Sequence, residues 1–198
     1  LISGAGGNLN ASTSFDRTDY YINLPANELA LALWIESERL MHAVIDNDGV
    51  ETQREVVKEE RRGRYENQPY GSIMENMAKA VFDGTPYEWT PIGSAQYIDS
   101  ATIEEFRDFY KKWYVPNNAT LAIAGDIDIE ETKLLVERYF GEIQRGPDPE
   151  RVAIDWDLEA PVTTKVVEEA MTPLPATVHI WRAPVLTDED AEAIELLI

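Results

Sequence analysis

The chain has 198 residues, 44% hydrophobic with five Trp and nine Tyr, which suits one substantial domain with a packed core. A formal net charge of −20 excludes the clustered Lys and Arg that nucleic-acid phosphates select, so no nucleic-acid partner is expected. The absence of cysteine excludes disulfides, thiolate catalysis and Cys-ligated metal, and no apolar run reaches the ~18 to 20 residues of a membrane span.

Leu1-Ile2-Ser3 followed by Gly4-Ala5-Gly6-Gly7 reads as the last turn of a helix with glycine terminators. Leu9, Ala11, Thr13 and Phe15 then alternate with Asn8, Asn10, Ser12 and Ser14, the period of a strand. Asp16-Arg17 supplies a turn, and Tyr20 to Leu24 returns as a second strand. After Pro25 the spacing predicts a helix capped at Asn27. Ala30, Leu33, Trp34, Ser37, Leu40, Met41 and Val44 lie on its inner face. The Asp46-Asn47-Asp48-Gly49 turn leads into a second helix that ends near Glu66-Asn67-Gln68-Pro69, and a shorter one covers roughly Ser72 to Phe82. Thr102-Ile103-Glu104-Glu105 is a capping box that opens a helix with Ile103, Phe106, Tyr110 and Trp113 inward.

Pro116-Asn117-Asn118 breaks that helix, and Thr120 to Ala124 reads as a short buried strand before Gly125-Asp126. Asp128-Ile129-Glu130-Glu131 opens another helix, closed at Gly141. Residues 144–162, rich in Pro, Asp and Arg without period, read as an extended connector. Strands are expected near Lys165 to Glu168 and Thr177 to Trp181, with a final helix capped by Thr187. Strands and helices mix without strict alternation, and the chain starts with a hairpin. The expected class is therefore α+β, a mixed and largely antiparallel sheet layered with helices. The last residues run on as an apolar helix, so both ends read as cuts. Residues 1–198 are taken as one incomplete domain, an internal piece of a longer protein.

Most standard sites are missing. Gly4-Ala5-Gly6-Gly7 lacks the Lys and Ser/Thr of a phosphate loop and precedes a strand. There is no nucleophile elbow. His42 and His179 stand apart and read as structural side chains, whereas a catalytic zinc site wants about three protein ligands. The unusual residue is Glu60, in Gln53-Arg54-Glu55-Val56-Val57-Lys58-Glu59-Glu60-Arg61-Arg62. It shares a helical face with Val56, Val57 and Gln53, where a buried carboxylate would need a partner such as a metal ion. The bland alternative is a solvated glutamate in a charged helix.

The ordered motifs narrow this choice. Gly6 to Asp16 leads into Thr18-Asp19-Tyr20-Tyr21, then Glu36-Ser37-Glu38-Arg39-Leu40-Met41, the Arg54 to Glu60 helix and Asn67-Gln68-Pro69-Tyr70-Gly71. Pro86-Tyr87, Ile92-Gly93-Ser94 and Phe109 to Thr120 follow, the last containing Trp113-Tyr114-Val115-Pro116-Asn117-Asn118. In this order, across residues 1–141, they resemble the pitrilysin/insulinase family of zinc metallopeptidases, in its two-domain, mitochondrial-processing-peptidase-like branch.

That resemblance implies a His-x-x-Glu-His motif supplying two zinc ligands and the general base, and a glutamate about 75 residues further on as third ligand. The distal glutamate matches Glu60; Glu59, about 100° round the helix, is the near miss. The histidine motif would then lie about fifteen residues before Leu1, so no catalytic base is expected in this chain and the piece alone should be inactive. The resemblance also implies that a substrate strand adds to the edge strand, with Asn10, Ala11 and Ser12 touching it near the metal. A polar edge-strand face is the plain alternative for Asn10. Two departures stand out: Gln53 occupies a position where the family often has a second glutamate, and Thr85 stands where many relatives have His before Pro-Tyr.

The implied parent is a zinc endopeptidase of peptides or unfolded segments, with a second similar domain or subunit closing a chamber. A periplasmic or otherwise exported bacterial location is favoured over the cytoplasm. The alternative is a non-catalytic partner subunit of the same fold.

Overall fold

The computed structural model describes residues 1–154, 164–169, 171–183 and 189–196. The chain divides into two compact units, one of Leu1–Arg54 with Asp99–Glu150, the other of Glu55–Ile98 with Arg151–Ile198.

In the first unit a single-turn 3-10 helix, Ser3–Ala5, ends on Gly6 at φ 80°, as the glycine run leads one to expect. Strands β1 (Asn8–Thr13) and β2 (Thr18–Asn23) form an antiparallel hairpin in the register Asn8↔Asn23 to Thr13↔Thr18. Its loop is closed by the Ser14 N–H donating to the Arg17 carbonyl at 2.8 Å. Helix α1 (Leu29–His42) follows a 3-10 turn, Ala26–Glu28. Asn27 lies inside that turn, so its amide reaches Glu28 rather than the helix end expected of a cap.

Of the face anticipated for α1, Leu33 and Ser37 are fully buried, whereas Trp34 and Val44 are exposed. Helix periodicity names a stripe; the neighbour that covers it sets its width, and here α1 packs on α6 (Ile129–Phe140).

Helix α5 (Ile103–Trp113) begins with the complete capping box, Thr102 accepting from Glu105 N–H while the Glu105 carboxylate accepts from Thr102 N–H. Those Thr102 hydrogen bonds hold the Glu105 carboxyl below the usual carboxylate range. The sign follows: the box stabilises the folded state above that range and weakens as pH falls through the lowered pKa. Thr102→Ala is expected to cost about 1 kcal/mol near neutral pH, and less in acid, in denaturant titrations at both pH values.

Beyond α5, Pro116–Asn118 forms a 3-10 turn that puts Val115 in the core. A Cβ on Gly146 would come within 2.3 Å of a Val115 methyl, so only glycine lets the start of the connector lie there.

Helix α2 (Asn47–Arg61) begins in the first unit and ends in the second, where a π-turn, Arg62–Glu66, continues it to the anticipated stop. Helix α3 (Ile73–Phe82) follows, then α4 (Ala95–Ser100), whose short polar sequence gave no periodic signal. Within the second unit, residues 164–169 and 171–183 make contacts along α3. The Glu169 carboxylate accepts from the Ser72 N–H at 3.0 Å at its N-terminus, and Arg182 donates to the Val81 carbonyl near its C-terminus. Lys165 reaches Asn76, and the Tyr70 hydroxyl donates to the Leu174 carbonyl.

The chain is thus α+β, and among the described residues its only sheet is the hairpin. Residues 120–124, 165–168 and 177–181, expected as strands, have no ladder partner among the described residues. Apolar alternation marks a face, but a strand also needs a neighbour for its N–H and C=O groups. The connector is without regular structure from 144 to 154, and its remainder lies outside the described residues. Thr187, the expected last cap, is also outside them; α7 (Ala191–Glu195) has Asp190 at its N-cap.

Candidate metal and substrate site

Glu60 stands in the last turn of α2 with its side chain 39% exposed, 3.1 Å from the guanidinium of Arg64 one turn on. The core setting expected from Val56 and Val57 is not found. Val56 is 54% exposed, and α2 has no fully buried residue. A charged helix whose apolar positions are only Val50, Val56 and Val57 has too little apolar surface to sink a whole face. Glu60 is therefore a half-covered carboxylate with one cationic neighbour. Glu59 is 69% exposed and pairs with Arg62, so of the two glutamates Glu60 is the more enclosed.

The residue after Glu60 is anchored quite differently. The Arg61 side chain is only 12% exposed and its guanidinium meets Glu75 of α3, the Gly93 carbonyl at 2.7 Å and Glu66 at 3.4 Å. Its charge also faces the Tyr65 ring at 5.6 Å. The hydrogen bond to Glu75 outweighs burial and raises the guanidinium pKa further. No sequence pattern marked Arg61, because Glu75 and Gly93 are 14 and 32 residues away.

In the first unit, Asn10, Ala11 and Ser12 sit on β1, exposed along its whole length. Among the described residues β1 pairs only with β2, which leaves its other edge open. The Ala11 N–H donates to the Asn10 side-chain oxygen at 2.8 Å, a local contact that occupies one backbone donor of the strand. The hairpin is held by a cluster the sequence reading missed. Arg39 lies over the Tyr20 ring at 4.0 Å, the Tyr20 and Tyr114 hydroxyls are 2.6 Å apart, and Tyr110 donates to the Arg39 carbonyl at 2.7 Å. Burial, then the hydrogen bond with Tyr20, pushes the Tyr114 phenol well above its usual pKa.

Gln53 is exposed on the first half of α2. His42 pairs with Glu38 at 3.0 Å on the outside of α1, and His179 stacks on Trp181. No group of three or more His, Asp or Glu able to hold a metal ion exists among the described residues. The donors present fit one anionic ligand of a zinc site and do not make a site by themselves.

The α+β fold is similar to that of solved proteases. A protease from Helicobacter pylori superposes with a TM-score of 0.71 at 30% identity, over 78% of this chain and 37% of that one. The periplasmic protease PqqL from Escherichia coli gives 0.66 at 26%, over 77% and 17%. Residues 1–93 match the family described as insulinase (peptidase family M16), and residues 100–198 the peptidase M16 inactive domain. The chain belongs to the M16 peptidase family.

Among its relatives are the zinc protease PqqE of Helicobacter pylori, 31% identical over 144 residues, and the mitochondrial-processing peptidase subunit beta of Saccharomyces cerevisiae, 28% over 149. These alignments take in 73% and 75% of this chain. The chain spans about a third of the length of either relative, 32% in each case.

Proposed function

We propose that this chain is part of a zinc endopeptidase that hydrolyses peptides or unfolded segments, and that Glu60 is the ligand it contributes. The carrying observation is the Glu60 carboxylate, half open at the end of α2 within the segment matched by the insulinase family. The remaining ligands and the base come from a His-x-x-Glu-His segment outside these residues, since the two histidines present stand singly. When bound, zinc supplies a water made acidic enough to ionise near neutral pH.

The residues of this chain bind and orient. β1 offers its open edge to an extended peptide backbone, with Asn10, Ala11 and Ser12 alongside it. A peptide taking that edge would exchange the Asn10 contact at Ala11 N–H for its own carbonyl. Gln53 could offer a hydrogen bond but would add no charge. A second, similar domain or subunit completes the enclosure around substrate. The periplasmic location of the Escherichia coli relative supports an exported parent, and no helix among the described residues is long and apolar enough to cross a membrane.

The competing reading is a non-catalytic partner subunit of the same fold. Metal analysis of the purified parent protein separates the two. About one zinc per chain is expected, with peptide cleavage abolished by a chelator and restored by zinc. A protein that binds peptide but neither holds zinc nor cleaves would establish the partner subunit and refute the peptidase.

A further inference from the structure

We infer that Arg61 is the positioning residue that fixes the direction of Glu60, and that the π-turn following it makes this clamp geometrically available. The inference rests on Glu60 being the zinc ligand.

Three arginines follow Glu60 within four residues, and they behave differently. Arg62 and Arg64 have side chains 47% and 73% exposed and meet only glutamates of α2 itself, Glu59 and Glu60. Arg61 turns inward at 12% exposed. Its guanidinium hydrogen-bonds Glu75 of α3 and the Gly93 carbonyl, while its Nε, which makes no hydrogen bond, lies at ion-pair distance from Glu66 of the π-turn.

The contact with Glu66 shows what the π-turn does. Residues five apart in an α-helix point about 140° away from each other, so Arg61 and Glu66 would diverge if α2 continued regularly. In the π-turn hydrogen bonds run between residues five apart, as the Asn67 N–H to the Arg62 carbonyl at 2.8 Å, and residues so spaced stack. Glu66 is thereby brought within 3.4 Å of Arg61. Gly71 secures the same corner, because a Cβ there would fall 1.9 Å from the Tyr65 carbonyl oxygen.

Glu60 and Arg61 are consecutive and about 100° apart on the helix, so a fixed Arg61 direction fixes that of Glu60. The Arg64 contact cannot do this, since both its side chains are solvent-accessible and free to reorient. Metal ligation tolerates only about 0.2 Å of error in ligand distance, which makes helix rotation at Glu60 consequential for affinity.

The test uses the parent protease and reads zinc affinity by chelator competition, beside the melting temperature of the zinc-stripped protein. Arg61→Met and Glu75→Gln release the clamp from its two sides. Each is expected to weaken zinc binding by about 10- to 100-fold, the usual range for residues that support ligands. Arg61→Lys keeps the charge but loses the planar fork, in a side chain smaller than the one it replaces. It is expected to fold and to lose less affinity than Arg61→Met. Arg62→Gln, at the exposed arginine, should leave affinity unchanged.

If Arg61→Lys and Glu75→Gln bind zinc within twofold of the natural protein, Arg61 is only a structural tie and the inference is overturned, whatever happens to the melting temperature. Should Arg61→Met fail to fold, those two variants decide. Glu60→Gln separates the layers. Zinc lost there but retained in the clamp variants overturns this inference alone, whereas zinc retained in Glu60→Gln overturns the ligand assignment beneath it.

Discussion

Glu60→Gln in the parent protease is expected to lower zinc affinity on the order of a thousandfold, about 4 kcal/mol, with peptidase activity lost at the same zinc concentration. The amide keeps the size and hydrogen-bonding reach of the side chain but removes the anionic oxygen that a divalent ion selects. Folding should be nearly untouched, because the carboxylate is half exposed and its one ion pair, with Arg64, lies in solvent. Glu59→Gln is the matched comparison. Its side chain is 69% exposed, about 100° round the helix, and engaged with Arg62, so zinc content should stay near that of the natural protein. Atomic absorption on both variants checks the assignment; zinc retained in the first and lost from the second would move the ligand to Glu59.

The largest effect on stability is expected from Leu33→Ala. Leu33 is 2% exposed, one turn from the equally buried Ser37, on α1, a helix that packs on α6. Truncation removes buried methyl groups and leaves a cavity, at a cost of about 3 kcal/mol. Trp34→Ala, a larger truncation one residue along, should cost less, since Trp34 is 41% exposed. Urea unfolding of both variants tests the ordering. A greater loss for Trp34→Ala would mean that Trp34, and not Leu33, anchors the packing of α1.

The same contrast shows how far the sequence could be read. The hairpin, the capping box at Thr102, the Asp128 cap and the break at Pro116 all appear where the residues put them. Each depends on groups a few residues apart or on a fixed backbone preference, so the signal and the structure share one short segment. Burial was less legible. Val44, Val56 and Trp34 have the right spacing to face inward and are all substantially exposed, at 83%, 54% and 41%. Residues 120–124 and 177–181 have strand-like composition and, among the described residues, no ladder partner.

The candidate site divides along the same line. Motif order led to Glu60 and to β1 with Asn10, Ala11 and Ser12, whereas the setting of Glu60 came out differently. A buried carboxylate awaiting a partner was expected; a half-exposed one beside Arg64 is found. The residue that anchors this helix end, Arg61, looked like part of an ordinary charged run.

By itself, the sequence determined the opening hairpin, the caps at Thr102 and Asp128, the break at Pro116, the family and the candidate ligand, because these signals and the motif order are written in neighbouring residues. Tertiary structure alone decided which faces are covered and which charges are held. The Tyr20–Tyr114 and Arg39–Tyr110 contacts join residues 94 and 71 apart, and Arg61 reaches Gly93 across 32. Such pairs are chosen by the packing of whole elements, and a helical or strand period carries no information about the partner across the gap.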